Sequence, residues 1–143
     1  MCTQKISHSR IKVEENKVKA VFRNDERSNF EVTQIDDFVV KDGVRCDKLV
    51  SRCDDISILV ELKGSDVSHA KDQLFSSATN NDVQLLLKGT VGFLVVCTKY
   101  PKFDTFVKKA KDRAAKEFGT GFHVVKNMGE FNIERVAAID GPY

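Results

Sequence analysis

At 143 residues, with 41% hydrophobic and 31% charged side chains, the chain has the size and make-up of one globular domain spanning 1–143. A formal net charge of +2 excludes attachment to nucleic acid by bulk charge, so any such contact needs a local basic patch. No apolar run is long enough to span a bilayer, and MCTQKISHSR at the start lacks the apolar core of a signal peptide. A cytoplasmic location is the expectation.

In chain order, Met1 to Asn16 is polar with Ile6, Ile11 and Val13 as its apolar points, and reads as a short, weak helix. Lys17 to Asn24 alternates as a strand, with Val18, Ala20 and Phe22 on one face. Asp25 to Ser28 is a charged turn. Asn29 to Asp36 alternates again, and the two strands are expected to form a β-hairpin. Phe38 to Val40 is a further short strand. Lys41-Asp42-Gly43 is a turn, because Asp-Gly tolerates the positive φ of tight hairpins, and Val44 leads on from it. An antiparallel meander is the local expectation.

Cys46 to Ser51 is a short strand pattern, and Arg52 to Asp55 (RCDD) is a polar connection of hairpin length. Ile56 to Gly64 (ISILVELKG) is rich in β-branched residues and closes on glycine, a strong strand signal. Strand side chains alternate, so Ile56, Ile58, Val60 and Leu62 share one face, and Ser57, Leu59, Glu61 and Lys63 the other. Pairing the two strands places Asp47 roughly opposite Glu61. Two carboxylates on a common face suit a hard divalent cation such as Mg²⁺, which takes a couple of carboxylates and keeps several waters. A neighbouring ammonium, Lys63, can orient a water or offset charge growing on a phosphate.

The run Asp47…Glu61-Leu62-Lys63, an acid, a hairpin and then an acid-x-Lys, resembles the signature of the PD-(D/E)xK, or restriction-endonuclease-like, nuclease superfamily. Cys46 stands where a proline often precedes the acid. The resemblance covers roughly Val18 to Val96. It implies an α/β (α+β) fold with a four-stranded mixed sheet flanked by helices. It also implies Mg²⁺-dependent phosphodiester hydrolysis, with Mn²⁺ as a substitute ion, on nucleic acid, DNA being the expected substrate. Asp47 and Glu61 would be metal ligands, joined by the Leu62 backbone carbonyl, and Lys63 the catalytic lysine. Some members carry a glutamine in the next helix that reaches back to the site, and Gln73 matches it. Members also often carry an acid in a first helix, for which Glu14 and Glu15 are the candidates. The competing reading is a nuclease-fold protein without activity, acting as a binding or regulatory subunit. A chain this short needs a second copy of itself or a protein partner for target specificity.

The helix after the site strand is expected to be capped by Ser65, with Asp66 in its first turn. Val67, Ala70, Leu74, Phe75 and Ala78 make its apolar face, and His69 and Gln73 share another. Thr79 to Asp82 reads as a loop, and Val83 to Lys88 is helix or strand. Val91 to Thr98 is the expected buried central strand, parallel to the site strand. After Pro101, Phe103 to Phe118 is an amphipathic helix ended by Gly119, with Lys108, Lys109, Lys111, Arg113 and Lys116 off its apolar face. A solvated face is the commoner meaning of such a cluster, and phosphate contact the other. Phe122 to Lys126 is an edge strand, and Asn132 to Ala138 packs back on the core. Cys2, Cys46, Cys53 and Cys97 show no zinc or redox spacing and read as free thiols. His8, His69 and His123 are scattered, without the spacing of a zinc site.

Overall fold

The computed structural model describes residues 3–15, 17–35, 47–62, 67–98, 105–127 and 129–143. The described residues form a mixed α/β fold with two sheets. Six strands make the larger sheet: β1 (Thr3–Ile6), β4 (Phe30–Gln34), β5 (Lys48–Arg52), β6 (Ile56–Leu62), β7 (Thr90–Cys97) and β8 (Phe122–Lys126), side by side in that order. Pairing is antiparallel from β1 to β6 and parallel from β6 to β8. The smaller sheet holds β2 (Arg10–Glu15), β3 (Val18–Arg23) and β9 (Gly129–Phe131). Four helices complete it: α1 (Val67–Thr79), α2 (Asn81–Gln84), α3 (Thr105–Arg113) and α4 (Ile133–Ala137). From Ala114 to Phe118 the α3 coil widens into a π-helical turn, ended by Gly119 at φ +63°.

Alternation along the strands divides the interior into two cores. Leu49, Leu59, Phe93, Val95, Phe122 and Val124 face the helices, where Ala70, Leu74, Phe75 and Ala78 of α1 and Val107 and Ala110 of α3 cover them. Val50, Ile58, Val60, Leu94, Val96 and Val125 face the other way, onto Ile11, Val13, Ala20 and Phe22 of the small sheet and Ile133 and Val136 of α4. The large sheet is thus covered on both faces, which is why all seven residues of β6 are buried.

Several expectations need correction. The N-terminal stretch is not a helix. Buried Ile11 and Val13 alternate with exposed Arg10, Lys12 and Glu14, a period of two that fits only a strand. The strands at 18–23 and 30–34 do not pair with each other: β3 pairs with β2 and β9, and β4 with β1 and β5. Between them the Asn24 side chain binds the carbonyls of His8 and Ser28 and the Ser28 N–H, turning the chain from one sheet into the other. The large sheet has six strands, two more than the four the resemblance implies. The loop read at 79–82 and the undecided 83–88 contain α2, whose start the Asn80 side chain caps by accepting from Asp82 and Val83 N–H. Phe38–Val40, the turn at 41–43, Val44, the cap Ser65 with Asp66, and Pro101 fall outside the described residues, as do Cys2 and Cys46. Cys53 is exposed and Cys97 buried, both free thiols. Among the described residues no helix is long and apolar enough to cross a membrane.

Candidate functional site

The β5–β6 hairpin fixes the position of the two acids. Its register pairs Lys48 with Val60 and Leu49 with Leu59, so the next pair along is Asp47 with Glu61. Paired residues of an antiparallel ladder share a face, and this face is the one covered by α1 and α3. Both acids are withdrawn from solvent, Asp47 at 9% exposure and Glu61 at 1%. They stand at the carboxyl end of β6, where it runs parallel to β7, with Glu61 beside Val95.

Asp47 is held from two sides. Its carbonyl accepts from Ile35 N–H at 3.0 Å, continuing the ladder to β4. Its Oδ2 accepts from Leu62 N–H at 2.8 Å, across the hairpin. In a strand the N–H and C=O of one residue point to the same edge, so the Leu62 carbonyl is directed to the Asp47 side as well. Asp47, Glu61 and the Leu62 carbonyl therefore share one corner of the molecule. Gln73 lies on α1, half-buried, on the helix that covers this face, and His69, one turn earlier, is exposed. Lys63 lies outside the described residues.

Glu14 and Glu15 belong to strand β2, not to a helix, and Glu15 pairs with Val18 at its end. This end is nevertheless the acid end of the molecule. Asn127, just beyond β8, accepts from Lys19 N–H at 2.7 Å and donates to the Lys17 carbonyl at 2.9 Å. That fixes the β2–β3 turn at the carboxyl ends of the parallel strands. Glu15 belongs to the sheet on the opposite face of the large sheet from Asp47 and Glu61. Among the described residues no three His, Cys, Asp or Glu side chains come close enough to hold a metal ion together. Two carboxylates and a carbonyl are what these residues could offer a cation. Such a set would fit an ion that retains waters, as Mg²⁺ does, better than one needing an all-protein cage.

No protein-family model, curated protein or solved structure matches this chain.

The far end of the hairpin is built differently. Two clefts of about 210 and 230 Å³ open there, a polar one lined by Arg52 and Glu134 and a mixed one lined by Cys53 and Lys88. Four residues of β5 separate them from Asp47, about 13–17 Å. Arg52 bridges Asp55 and Glu134, each at 2.8 Å, and so ties the hairpin turn to α4. The Arg52 hydrogen bond holds the Asp55 carboxyl below its ordinary value. Partial burial pushes Glu134 up, and its bond to Arg52, a backbone hydrogen bond and the Arg52 charge together more than offset this, leaving it lowered.

His123 is a buried polar group to which the sequence assigns no role. On β8 it faces α4, and its Nε2 lies 2.7 Å from the Ala138 carbonyl, while Nδ1 has no hydrogen-bond partner among the described residues. Burial lowers its pKa, so the ring is neutral at pH 7 and Nε2 carries the proton it donates. Its alternation against Phe122 and Val124 was the available sign that it points to the other core.

Proposed function

We propose that the protein is a metal-dependent nuclease that hydrolyses phosphodiester bonds, in DNA, with a restriction-endonuclease-like core. The observation that carries this reading is the pairing of two buried carboxylates, Asp47 and Glu61, in register on adjacent strands. Two carboxylates brought together on one face are the kind of oxygen donors a hard divalent cation takes. The order of elements supports it too: antiparallel β4, β5 and β6, then α1, then β7 parallel to β6.

In this reading Asp47, Glu61 and the Leu62 carbonyl hold Mg²⁺, or Mn²⁺ in its place. Bound there, the ion supplies a water of lowered pKa and positive charge opposite the phosphate. Leu62 N–H fixes the Asp47 carboxylate, leaving Oδ1 as its outward donor. Lys63 is assigned the ammonium that orients the attacking water or offsets charge on the phosphoryl oxygens. Gln73 is assigned a positioning role from α1. The buried floor of Leu49, Leu59 and Val95 limits water at the acids from beneath.

A second reading, a nuclease-fold protein that binds without cutting, is favoured by one observation: two clefts open at the far end of the hairpin, away from the acids. Incubation with supercoiled plasmid, linear duplex and single-stranded DNA, in Mg²⁺, Mn²⁺ or EDTA, separates the two. The nuclease reading expects divalent-ion-dependent cutting that Asp47→Asn and Lys63→Ala each abolish. Absence of cutting with every substrate and ion leaves the binding reading.

A further inference from the structure

One helix of this chain carries a cluster of positive charge. From Thr105 to Phe118 there are five cations and two acids, net +3, against +2 for the whole chain, so the other 129 residues carry −1. Lys108, Lys109, Lys111 and Lys116 are exposed, and none has an ion-pair partner among the described residues. Several cations elsewhere are engaged: Arg10 and Arg23 with Glu130, Arg52 with Asp55 and Glu134, Lys88 with Glu31 and Asp54, Arg135 with Asp140. Arg113 differs from its neighbours. It pairs with Glu117 at 2.9 Å and stacks over Phe75 at 4.3 Å, which fastens α3 to α1 and leaves the four lysines as a ridge.

Topology directs this ridge towards the acids. Because β7 and β8 are parallel, the helix between them returns antiparallel to both, so α3 begins at the end of the sheet where Asp47 and Glu61 lie. Lys108 is about 4–5 Å from the start of α3, and Lys116 about 12 Å further along. The aromatic residues of the helix, Phe106 and Phe118, pack inward on the core, so among the described residues the ridge offers ammonium groups and no ring for base stacking. Single-strand binders rely on such rings, whereas contact with a duplex backbone needs only charge.

We propose that the Lys108, Lys109, Lys111 and Lys116 ridge is the phosphate-backbone contact for duplex DNA, sequence-independent and leading to the acid pair. This rests on the nuclease reading for its occupant. The test is fluorescence anisotropy of a labelled 24-bp duplex from 50 to 200 mM NaCl in EDTA. It compares wild type, the four-fold Lys→Gln ridge variant, and a control carrying Lys12→Gln, Lys17→Gln and Lys19→Gln. Four phosphate contacts predict roughly a hundred-fold loss of wild-type affinity over that salt range, a slope near −3.6. The ridge variant is expected to lose most of that slope, and the control to keep it. A ridge variant that binds with wild-type affinity and slope overturns the inference, as does tighter wild-type binding to single strands or to anionic vesicles than to duplex. Metal-dependent cutting by a ridge variant of unaltered binding would sink the ridge and keep the nuclease. Duplex binding through the ridge with no cutting under any ion would do the reverse.

Discussion

At Asp47 one carboxylate oxygen is committed to Leu62 N–H at 2.8 Å, in a setting nearly closed to water. Asparagine keeps an acceptor for that N–H and loses the charge, whereas alanine leaves a buried donor without a partner. Asp47→Ala should therefore cost about 1–3 kcal/mol in urea unfolding, and Asp47→Asn clearly less. Equal losses would show that the Leu62 bond carries no weight. His123 makes the second residue-scale prediction. Its folded-state pKa lies below the ordinary 6.5, so below pH 6.5 the unfolded chain binds the proton more readily than the folded one. Its contribution is full above 6.5 and declines as pH falls towards the folded-state value. His123→Gln, whose amide can still donate to the Ala138 carbonyl, should flatten that decline in thermal melts between pH 7.5 and 5. An unchanged profile would assign the pH dependence to other groups.

The hairpin shows at the element scale how local rules and long-range contacts combine. Gly89 precedes β7 at φ +65°, and a Cβ there would collide with the Asp55 carbonyl, which accepts from Thr90 N–H at 2.9 Å. Gly89→Ala should destabilise by roughly 2–3 kcal/mol in chemical denaturation, and a loss under 0.5 kcal/mol would mean the turn relaxes freely. Elements with unbroken apolar runs were legible from sequence: β6 and β7 declare themselves as buried strands, and α1 by its spaced Ala70, Leu74 and Ala78. The first strands were not. Ile11 and Val13 are two apolar points in a polar stretch, and their alternation gains meaning only once a second sheet offers a face to bury them. Nor could neighbouring in sequence show that β3 pairs with β9, more than a hundred residues away. At the candidate site the register of Asp47 and Glu61 followed from strand period and loop length. The Leu62 bond to Asp47 did not, because a side chain reaching across to a backbone donor leaves no mark in a sequence pattern.

Across the whole molecule the two ends of the large sheet have different chemistry. The hairpin-turn end is neutralised by ion pairs around Arg52 and Lys88, and the opposite end holds two buried acids with a lysine-rich helix starting beside them. Such polarity suits the proposed site, which would gather an anionic polymer and a divalent cation at one place. The most direct test is isothermal calorimetry with Mn²⁺ on wild type, Asp47→Asn and Glu61→Gln, each shown to be folded by circular dichroism. The account predicts saturable binding by wild type and its loss in both variants. No heat from wild type, or binding by Asp47→Asn equal to wild type, would contradict the assignment of the two acids as a cation site.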